Sequence, residues 1–445
     1  MMSSDRIYTL VLLVTAFPPE VSGSSYFNLA RAQWLAKQGM YRIVVFAPDF
    51  QKELDSSLRE NNLIIERYPS KPWIPYKLTY VPTFSGARQI SDRIVNYQPD
   101  LIVMTDVERY FLLSSWQLPG QQYARDYQIP YLAEYHTDVY NFSATYPGWK
   151  WLRNWVRKFR LLSELYDQFD RTICPSKSAR NSCQEMGIKN TCVIPFFGTD
   201  ISTYNPNRRN RQWLEPWLSH GEQNNKILVF LGRLGFEKRV DLLIEAFARL
   251  KRRQPDYSLL IIGDGPADVV NSLKHRAEPI PDIHFTGFML GEAKANVLAS
   301  CDVFCSPSPY ETFGLTVVEA MASGVPVVTV DSGAVSEYIL DGVNGYLVAP
   351  DDVEGLANCL EKVLSSDNTN LIQRALQEAN QYSQEQGCQH LHNYYQKVLS
   401  GRSDQAVSDR TGKSIKIDVG TIQPEETACK EQIKTKRSNS NDDCP

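Results

Sequence analysis

Two carboxylates, Glu311 and Glu319, are separated by seven residues in "SPYETFGLTVVEAMASGVPVVTVDSG" (Ser308–Gly333), among an aromatic, a glycine and several apolar side chains. A carboxylate is costly to bury unless it is hydrogen-bonded, so each must hold something. "GLTVVEAMASG" reads as a helix ending at Gly324, after an extended Pro-Ser-Pro segment. Glu311 therefore lies before the helix and Glu319 about one turn inside it. They do not form an acid–base couple on one helical face. Each suits accepting hydrogen bonds from the hydroxyls of a sugar or a ribose. Gly314 opens the helix mouth, where the free amides of Gly314, Leu315 and Thr316 can face an anion. Two surface carboxylates beside a core helix are the plainer reading of the same residues.

A second stretch, "FLGRLGFEKRVDLLIEAFARL", carries two cations, Arg233 and Lys238, around a turn made by Gly232 and Gly235. A helix follows with Val240, Leu243, Phe247 and Leu250 on one face. Two cations beside a helix start suit a diphosphate. A solvated loop with ordinary surface cations accounts for them equally well.

The elements that would position these groups are legible in the β-branched runs. "IYTLVLLV" (Ile7–Val14), "RIVVFA" (Arg42–Ala47), "LIVM" (Leu101–Met104), "YLAEY" (Tyr131–Tyr135) and "RTIC" (Arg171–Cys174) alternate with helical patterns. A second series runs from "KILVFL" (Lys226–Leu231) through "SLLIIG", "IHFTG", "DVFCS" and "VPVVTV". Continuous apolar strands alternating with helices predict parallel sheets covered on both faces. The polar, proline-bearing "TYNPNRRNRQWLEPWLSHGEQNN" between the series reads as a linker with a hinge near Asn205. The expected organisation is α/β, two doubly wound Rossmann-like domains facing a cleft, at residues 1–205 and 206–400, the second closing on a terminal crossover helix. A polar tail at 401–445 is too poor in apolar residues to pack and is expected to be disordered.

Bulk properties narrow the function. Lys plus Arg total 47 against 51 Asp plus Glu, a net charge of −4 that gives no whole-chain case for nucleic acid. The nine cysteines include no CxxC pair, and Cys301 with Cys305 lacks a second pair at zinc-site spacing. A scattered set of this kind fits a reduced, cytoplasmic protein without a metal site. The opening apolar run is short and turns at "FPPE", so it reads as a buried first strand rather than a signal peptide. No segment approaches the roughly 18 apolar residues of a membrane span. "IIGDGP" lacks the full GxGxxG pattern of a nicotinamide site.

"GRLGFEK", "PYETFGLTVVEAMASGVPVV" and "EYILDGVNGYLV" together resemble the retaining glycosyltransferases of family four. "FPPEVSGSSYFNLARAQWLAKQG" resembles that family's first loop and helix, and "DQFDRTICPSKSARNSCQEMGIKNTCVIPFFGTDISTYNP" its approach to the second domain. The likeness runs from Ile7 to about Leu399. It implies a GT-B fold, an acceptor-binding first domain and a second domain that binds a nucleotide-sugar donor, UDP- or GDP-linked, without a metal or other cofactor. By that likeness Arg233 and Lys238 hold the diphosphate and Glu319 the ribose. Glu311 contacts the donor sugar, with Phe313, Gly314 and Leu315 at the sugar–phosphate junction and Gly232 in the phosphate turn. The backbone near Phe288 meets the base, Gly23 approaches the phosphates, and His136 of "YHTD" lines the cleft beside the transferred sugar. The family's tandem glycine is Ser22-Gly23 here, a departure at that contact. A nucleotide-sugar epimerase or phosphorylase, or a nucleotide-sugar-binding protein without catalysis, are the rival readings.

"WKWLRNWVRKFRLLSELY" (Trp149–Tyr166) has helical period, with Trp151, Trp155, Phe159 and Leu162 on one face. Lys150, Arg153, Arg157 and Arg160 fall nearly opposite. Aromatic and basic faces together mark a helix that lies in an anionic membrane interface. "YHTD" resembles members acting on lipid acceptors, including the sulfoquinovosyl and mannosyl transferases. The expected acceptor is thus a membrane glycolipid reached from the cytoplasmic face. An aromatic face packed into the first domain, with a soluble sugar as acceptor, is the alternative.

Overall fold

The computed structural model describes residues 6–20, 22–50, 61–72, 80–110, 118–138, 141 and 161–405. The first domain's strands are β1 (Tyr8–Leu13), β2 (Tyr41–Pro48), β3 (Leu63–Tyr68), β4 (Leu101–Thr105), β5 (Tyr131–Glu134), β6 (Arg171–Cys174) and β7 (Thr191–Val193). They form one sheet in the order β3-β2-β1-β4-β5-β6-β7, every pairing parallel. The second domain contributes β8 (Lys226–Leu231), β9 (Tyr257–Ile262), β10 (Ile283–Gly287), β11 (Val303–Ser306), β12 (Val327–Val330) and β13 (Tyr346–Val348). Their order is β10-β9-β8-β11-β12-β13, again parallel.

Burial explains why the runs read so clearly. Leu10 to Val14 and Val103 are fully enclosed, because helices cover both faces of the sheet. The opening run is thus an interior strand of the first sheet. Leu63–Tyr68 is less legible, since Glu66 and Arg67 interrupt its apolar pattern. The Arg67 guanidinium is held by the carbonyls of Pro48 and Pro18 at 2.9 and 2.7 Å. Tyr346–Val348 and Thr191–Val193 have only three residues each, too short for a periodic signal.

In each sheet the order reverses beside its first strand, between β1 and β4 and between β8 and β11. Ligands of open parallel sheets bind in the crevice beyond such a switch point. Helix α1 (Gly23–Lys37) follows β1 in the first domain. In the second, α2 (Val240–Arg253), α3 (Gly291–Ser300) and α4 (Leu315–Ala322) follow β8, β10 and β11.

The chain crosses between domains twice, at 194–204 and at the start of α5 (Gln384–Gln405). A Cβ on Gly198 would lie 2.3 Å from the Ser383 carbonyl oxygen, so only glycine lets the two crossings touch. Helix α5 then packs on the first domain, with Leu391, Tyr394 and Tyr395 buried and Tyr395 donating to Glu134 Oε1 at 2.9 Å. This helix runs on through Gln405, so the boundary expected at Gly401 falls inside it. Residues 406–445, and with them most of the expected tail, lie outside the described residues.

Candidate active site

Strand β8 ends at Leu231, and Gly232 donates its amide to Ile262 O at 3.0 Å, fixing the glycine turn against β9. The short turn Phe236–Lys238 then carries Lys238 back toward the cleft. Its ammonium meets Glu311 Oε1 at 2.6 Å, closing the β8 loop onto the β11 loop. Arg233 lies 3.4 Å from the buried Glu237 carboxylate with 41% of its side chain exposed, a cation oriented yet accessible to a ligand.

Gly314 caps α4 at φ +88°, a conformation that L side chains adopt rarely, and the chain turns there from an extended loop into the helix. The first amides of α4 are left without helical acceptors, as at any helix start. Glu319 is the fifth residue of α4, as expected. Its Oε1 accepts from Lys294 Nζ at 2.9 Å, while Oε2 is buried with no partner. Lys294 also stands 5.0 Å from the centre of the Tyr204 ring. The sequence reading missed Lys294, which sits on α3 and approaches Glu319 only through the packing of the two helices. The neighbouring Tyr204 hydroxyl is raised by burial and by the Glu319 carboxylate.

Three further expected positions differ in what they offer a ligand. Phe313 is buried, tilted against Phe197 and edge-on to Tyr382, with centroids 5.7 and 5.6 Å away, so only its backbone can line the cleft. The Phe288 ring, beyond the end of β10, is 54% exposed. His136 is enclosed rather than displayed: its side chain is 1% exposed, between the rings of Phe27, Phe196 and Phe197. Its Nε2 lies 3.0 Å from Glu134 Oε2 and its Nδ1 has no partner. The wholly buried Arg31 holds Glu134 at 2.5 Å. Burial alone would raise the Glu134 carboxyl, but Arg31 and the His136 hydrogen bond bring it down to about 2.

The two domains meet over this site. Thr312 Oγ1 donates to His136 O at 3.0 Å and Ser176 Oγ donates to Thr312 O at 2.9 Å. Glu337 accepts from the amides of Lys177 and Ser178 at 3.0 and 2.6 Å. Helix α1 opens at Gly23, with Ser22 as its cap. A methyl group on Gly23 would stand 3.4 Å from Leu315 Cδ1, so the N-termini of α1 and α4 face one another across the cleft. Trp151, Arg153, Trp155, Arg157 and Arg160 lie outside the described residues.

Residues 21–196 match the sequence profile of Glycosyltransferase Family 4, and residues 218–382 that of Glycosyl transferases group 1. A GDP-mannose-dependent alpha-mannosyltransferase of Corynebacterium glutamicum is 30% identical over 354 residues, 77% of each chain. The chain belongs to glycosyltransferase family 4. An alpha-monoglucosyldiacylglycerol synthase of Streptococcus pneumoniae is 28% identical to this glycosyltransferase over 345 residues, 76% of this chain and 74% of that one. Sulfoquinovosyl transferase of Arabidopsis thaliana shares 30% over 256 residues, 56% of this chain and 48% of that one. The fold is that of known GT-B enzymes. HepE of Anabaena, solved with UDP and glucose, superposes with a TM-score of 0.64 at 18% identity, over 90% of this chain and all of that one. Sucrose-phosphate synthase of Thermosynechococcus elongatus gives 0.70 at 20%, over 88% of this chain and all of that one. The glycosyltransferase thus has the two Rossmann-like domains expected from its alternating runs. Among the described residues no helix is long and apolar enough to cross a membrane.

Proposed function

We propose that this enzyme is a retaining hexosyltransferase that moves a sugar from a nucleotide diphosphate to a hydroxyl of a membrane glycolipid. One observation carries the reading: the N-termini of α1 and α4 meet at Gly23 and Leu315, four residues on from Glu311 and its ion pair with Lys238. Positive helix ends and fixed cations around one point suit a diphosphate leaving group. In the step, the bond from the anomeric carbon to the diphosphate breaks and its electron pair leaves with the nucleotide. Arg233, Lys238 and the α4 amides stabilise that developing charge without reorganising. The acceptor oxygen bonds to the anomeric carbon on the face the diphosphate leaves, and its proton passes to the departing phosphate. No step calls on a cofactor. Glu319, oriented by Lys294, receives the ribose hydroxyls, and Glu311 the sugar.

The donor is a UDP- or GDP-sugar, and GDP-mannose is the first to try, because several relatives are GDP-mannose-dependent mannosyltransferases. Relatives named for glucosyldiacylglycerol and phosphatidylinositol dimannoside support a lipid acceptor. The enzyme works as a peripheral protein on the cytoplasmic face of the membrane, through the basic and aromatic residues from Trp149 to Arg160, which lie outside the described residues; Leu162, Leu165 and Tyr166 beyond them are buried in the first domain's core. The test is incubation with radiolabelled GDP-mannose or UDP-glucose and a lipid extract. Label entering the organic phase, with the donor's anomeric configuration kept in the product, is the expected result. An isomerised donor would mean an epimerase, and tight binding without turnover a carrier. Label moved only to water-soluble sugars would exclude the glycolipid acceptor.

A further inference from the structure

The switch point of the first sheet holds a cluster of polar groups apart from Arg233, Lys238, Glu311 and Glu319. Thr15 follows β1, and Asp106 follows β4 at φ +50°. A non-glycine residue held in the left-handed region is strained, and such strain is found most often at functional sites. Thr15 Oγ1 donates to Asp106 Oδ2 at 2.8 Å. Arg109 reaches Thr15 Oγ1 at 3.2 Å and Asp106 at 3.5 Å. Burial would raise Asp106, but Arg109, then His136, then the two threonine hydroxyls hold it below its usual value.

Glu20 completes this group from the loop that opens α1. Its carbonyl is pinned by Ser25 Oγ at 2.6 Å, and its amide donates to Phe17 O at 3.1 Å. The carboxyl is thereby held beside the start of α1, with Oε2 buried and without a hydrogen-bond partner. Around it stand Arg109 and Asp106 from the β4 loop, Ser22 from its own loop, Tyr68 from β3 and, from the other domain, Arg233. An unpartnered carboxylate oxygen thus lies beside the first domain's switch point, three residues before Gly23, where α1 meets Leu315 of α4.

Resting on the hexosyltransferase reading above, we propose that Glu20 positions the acceptor hydroxyl for attack, and that the reacting sugar or polyol of the acceptor itself bears no phosphate. Glu20 Oε2 accepts the hydrogen bond of the acceptor O–H and directs its lone pair at the anomeric carbon. The carbon–phosphate bond breaks, the nucleoside diphosphate takes the electron pair, and the hydroxyl proton ends on a phosphate oxygen, so Glu20 leaves the cycle as it entered. The acceptor class follows from charge. Arg109 is engaged by Asp106 and Thr15, and Arg67 by two backbone carbonyls. Among the described residues around Glu20, no further cation of the first domain is placed to meet a phosphate at the reacting hydroxyl.

Burial raises the Glu20 carboxyl to about 7, outweighing Arg109, the Ser22 side-chain hydrogen bond and Arg233, which pull it down. The form that accepts a hydrogen bond from the acceptor is ionised, so binding of the acceptor strengthens as pH rises through that value.

The test uses the full chain and its Glu20→Gln and Glu20→Asp variants. The donor is whichever of GDP-mannose and UDP-glucose the wild type hydrolyses. The acceptors, in detergent micelles, are a neutral monoglycosyl diacylglycerol and the anionic phosphatidylinositol. Glu20→Gln should raise the KM for the neutral acceptor by about tenfold or more, the loss of one hydrogen bond to a charged group. It should leave the dissociation constant of the nucleoside diphosphate within about twofold and abolish the acid limb of kcat/KM for the acceptor. Glu20→Asp should restore that limb in part. Equal loss of nucleotide affinity would move Glu20 to the donor, and unchanged acceptor kinetics would remove its role. Transfer to phosphatidylinositol alone would overturn the acceptor class. If the wild type hydrolyses and transfers from neither donor, the hexosyltransferase reading itself falls.

Discussion

The Lys238 ammonium donates to Glu311 Oε1 at 2.6 Å across 73 positions of sequence. Both side chains are mostly enclosed, 19% and 11% exposed, so the pair is more than a surface contact. It ties the loop after β8 to the loop after β11, and either partner alone would leave the other a poorly solvated charge.

Removing the two cations should therefore have unequal side effects. Arg233→Ala and Lys238→Ala are each expected to lower kcat by about 10²–10³-fold, the usual loss for one charge-stabilising group. Arg233→Ala should lose less stability than Lys238→Ala, because its side chain is 41% exposed and its contact with the buried Glu237 is long, at 3.4 Å. Lys238→Ala should melt earlier, since it strands Glu311. Steady-state kinetics and calorimetry on the same preparations check both, and a near-normal turnover in the double variant would remove the cations from the mechanism.

Lys294 should behave as part of the ribose site. Lys294→Met leaves Glu319 without its cation, and is expected to weaken nucleoside diphosphate binding as Glu319→Ala does, with little further loss in the double variant. Glu311→Ala should instead leave the bare nucleotide's affinity near normal and blur discrimination among donor sugars. Titration with a nucleoside diphosphate and its 2′- and 3′-deoxy forms is the measurement. Wild type should prefer the ribose forms, and Lys294→Met should lose that preference.

The Arg31–Glu134 pair predicts a particular acid sensitivity. Glu134 has a folded pKa of about 2 against an ordinary 4.5, so its contribution is fully present above 4.5 and drains away as pH falls toward 2. Arg31→Met should cost about 3–5 kcal/mol near neutrality, because it leaves a fully buried carboxylate unpaired. It should also flatten the stability loss between pH 4.5 and 2, measured by denaturant melts at each pH.

Glu20 shows the opposite sign. With its folded pKa raised to about 7, native protein binds the extra proton, and stability declines as pH rises from the ordinary value toward 7. Glu20→Gln should accordingly raise the melting temperature at pH 8 and have no such effect at pH 4.5. An equal gain at both would mean that the carboxyl is not buried in solution.

Truncation separates the last helix from the polar residues beyond it. A chain ending at Gln405 is expected to keep activity within about twofold, since the residues after that point lack the apolar area to pack. One ending at Ser383 should fail to fold stably, because it loses the buried Leu391, Tyr394 and Tyr395 at roughly 1.5–3 kcal/mol each. Expression and melting of the two chains decide it.

Membrane association is tested through Arg153, Arg157 and Arg160. The intact protein should pellet with anionic vesicles at low salt and release as salt screens the attraction. Changing the three to Gln should abolish pelleting and cut lipid transfer more than donor hydrolysis. Absence of vesicle binding at low salt would sink the idea.

The sequence alone was enough for most strands of the two sheets and for where glycines and charged residues fall in the loops. Apolar runs, glycines at turns and the place of Glu319 inside its helix are short-range features, fixed by the periodicity of a strand or a helix and by what a backbone can do at glycine. Only the tertiary structure decided which loops meet. Nothing local in "GEAKANVLAS" marks Lys294 as the partner of Glu319, since the contact depends on how α3 packs against α4. Nothing in "YHTD" says that His136 is walled in by three phenylalanines and held by Glu134, because Phe196 and Phe197 arrive from beyond β7. Nothing in "FPPE" says that Glu20 ends with a carboxylate oxygen buried and unpartnered near Arg109 and Asp106, which come from the loop after β4. Charge and burial at a site are sums over everything nearby in space, and spatial neighbours from distant segments leave no periodic trace in the chain.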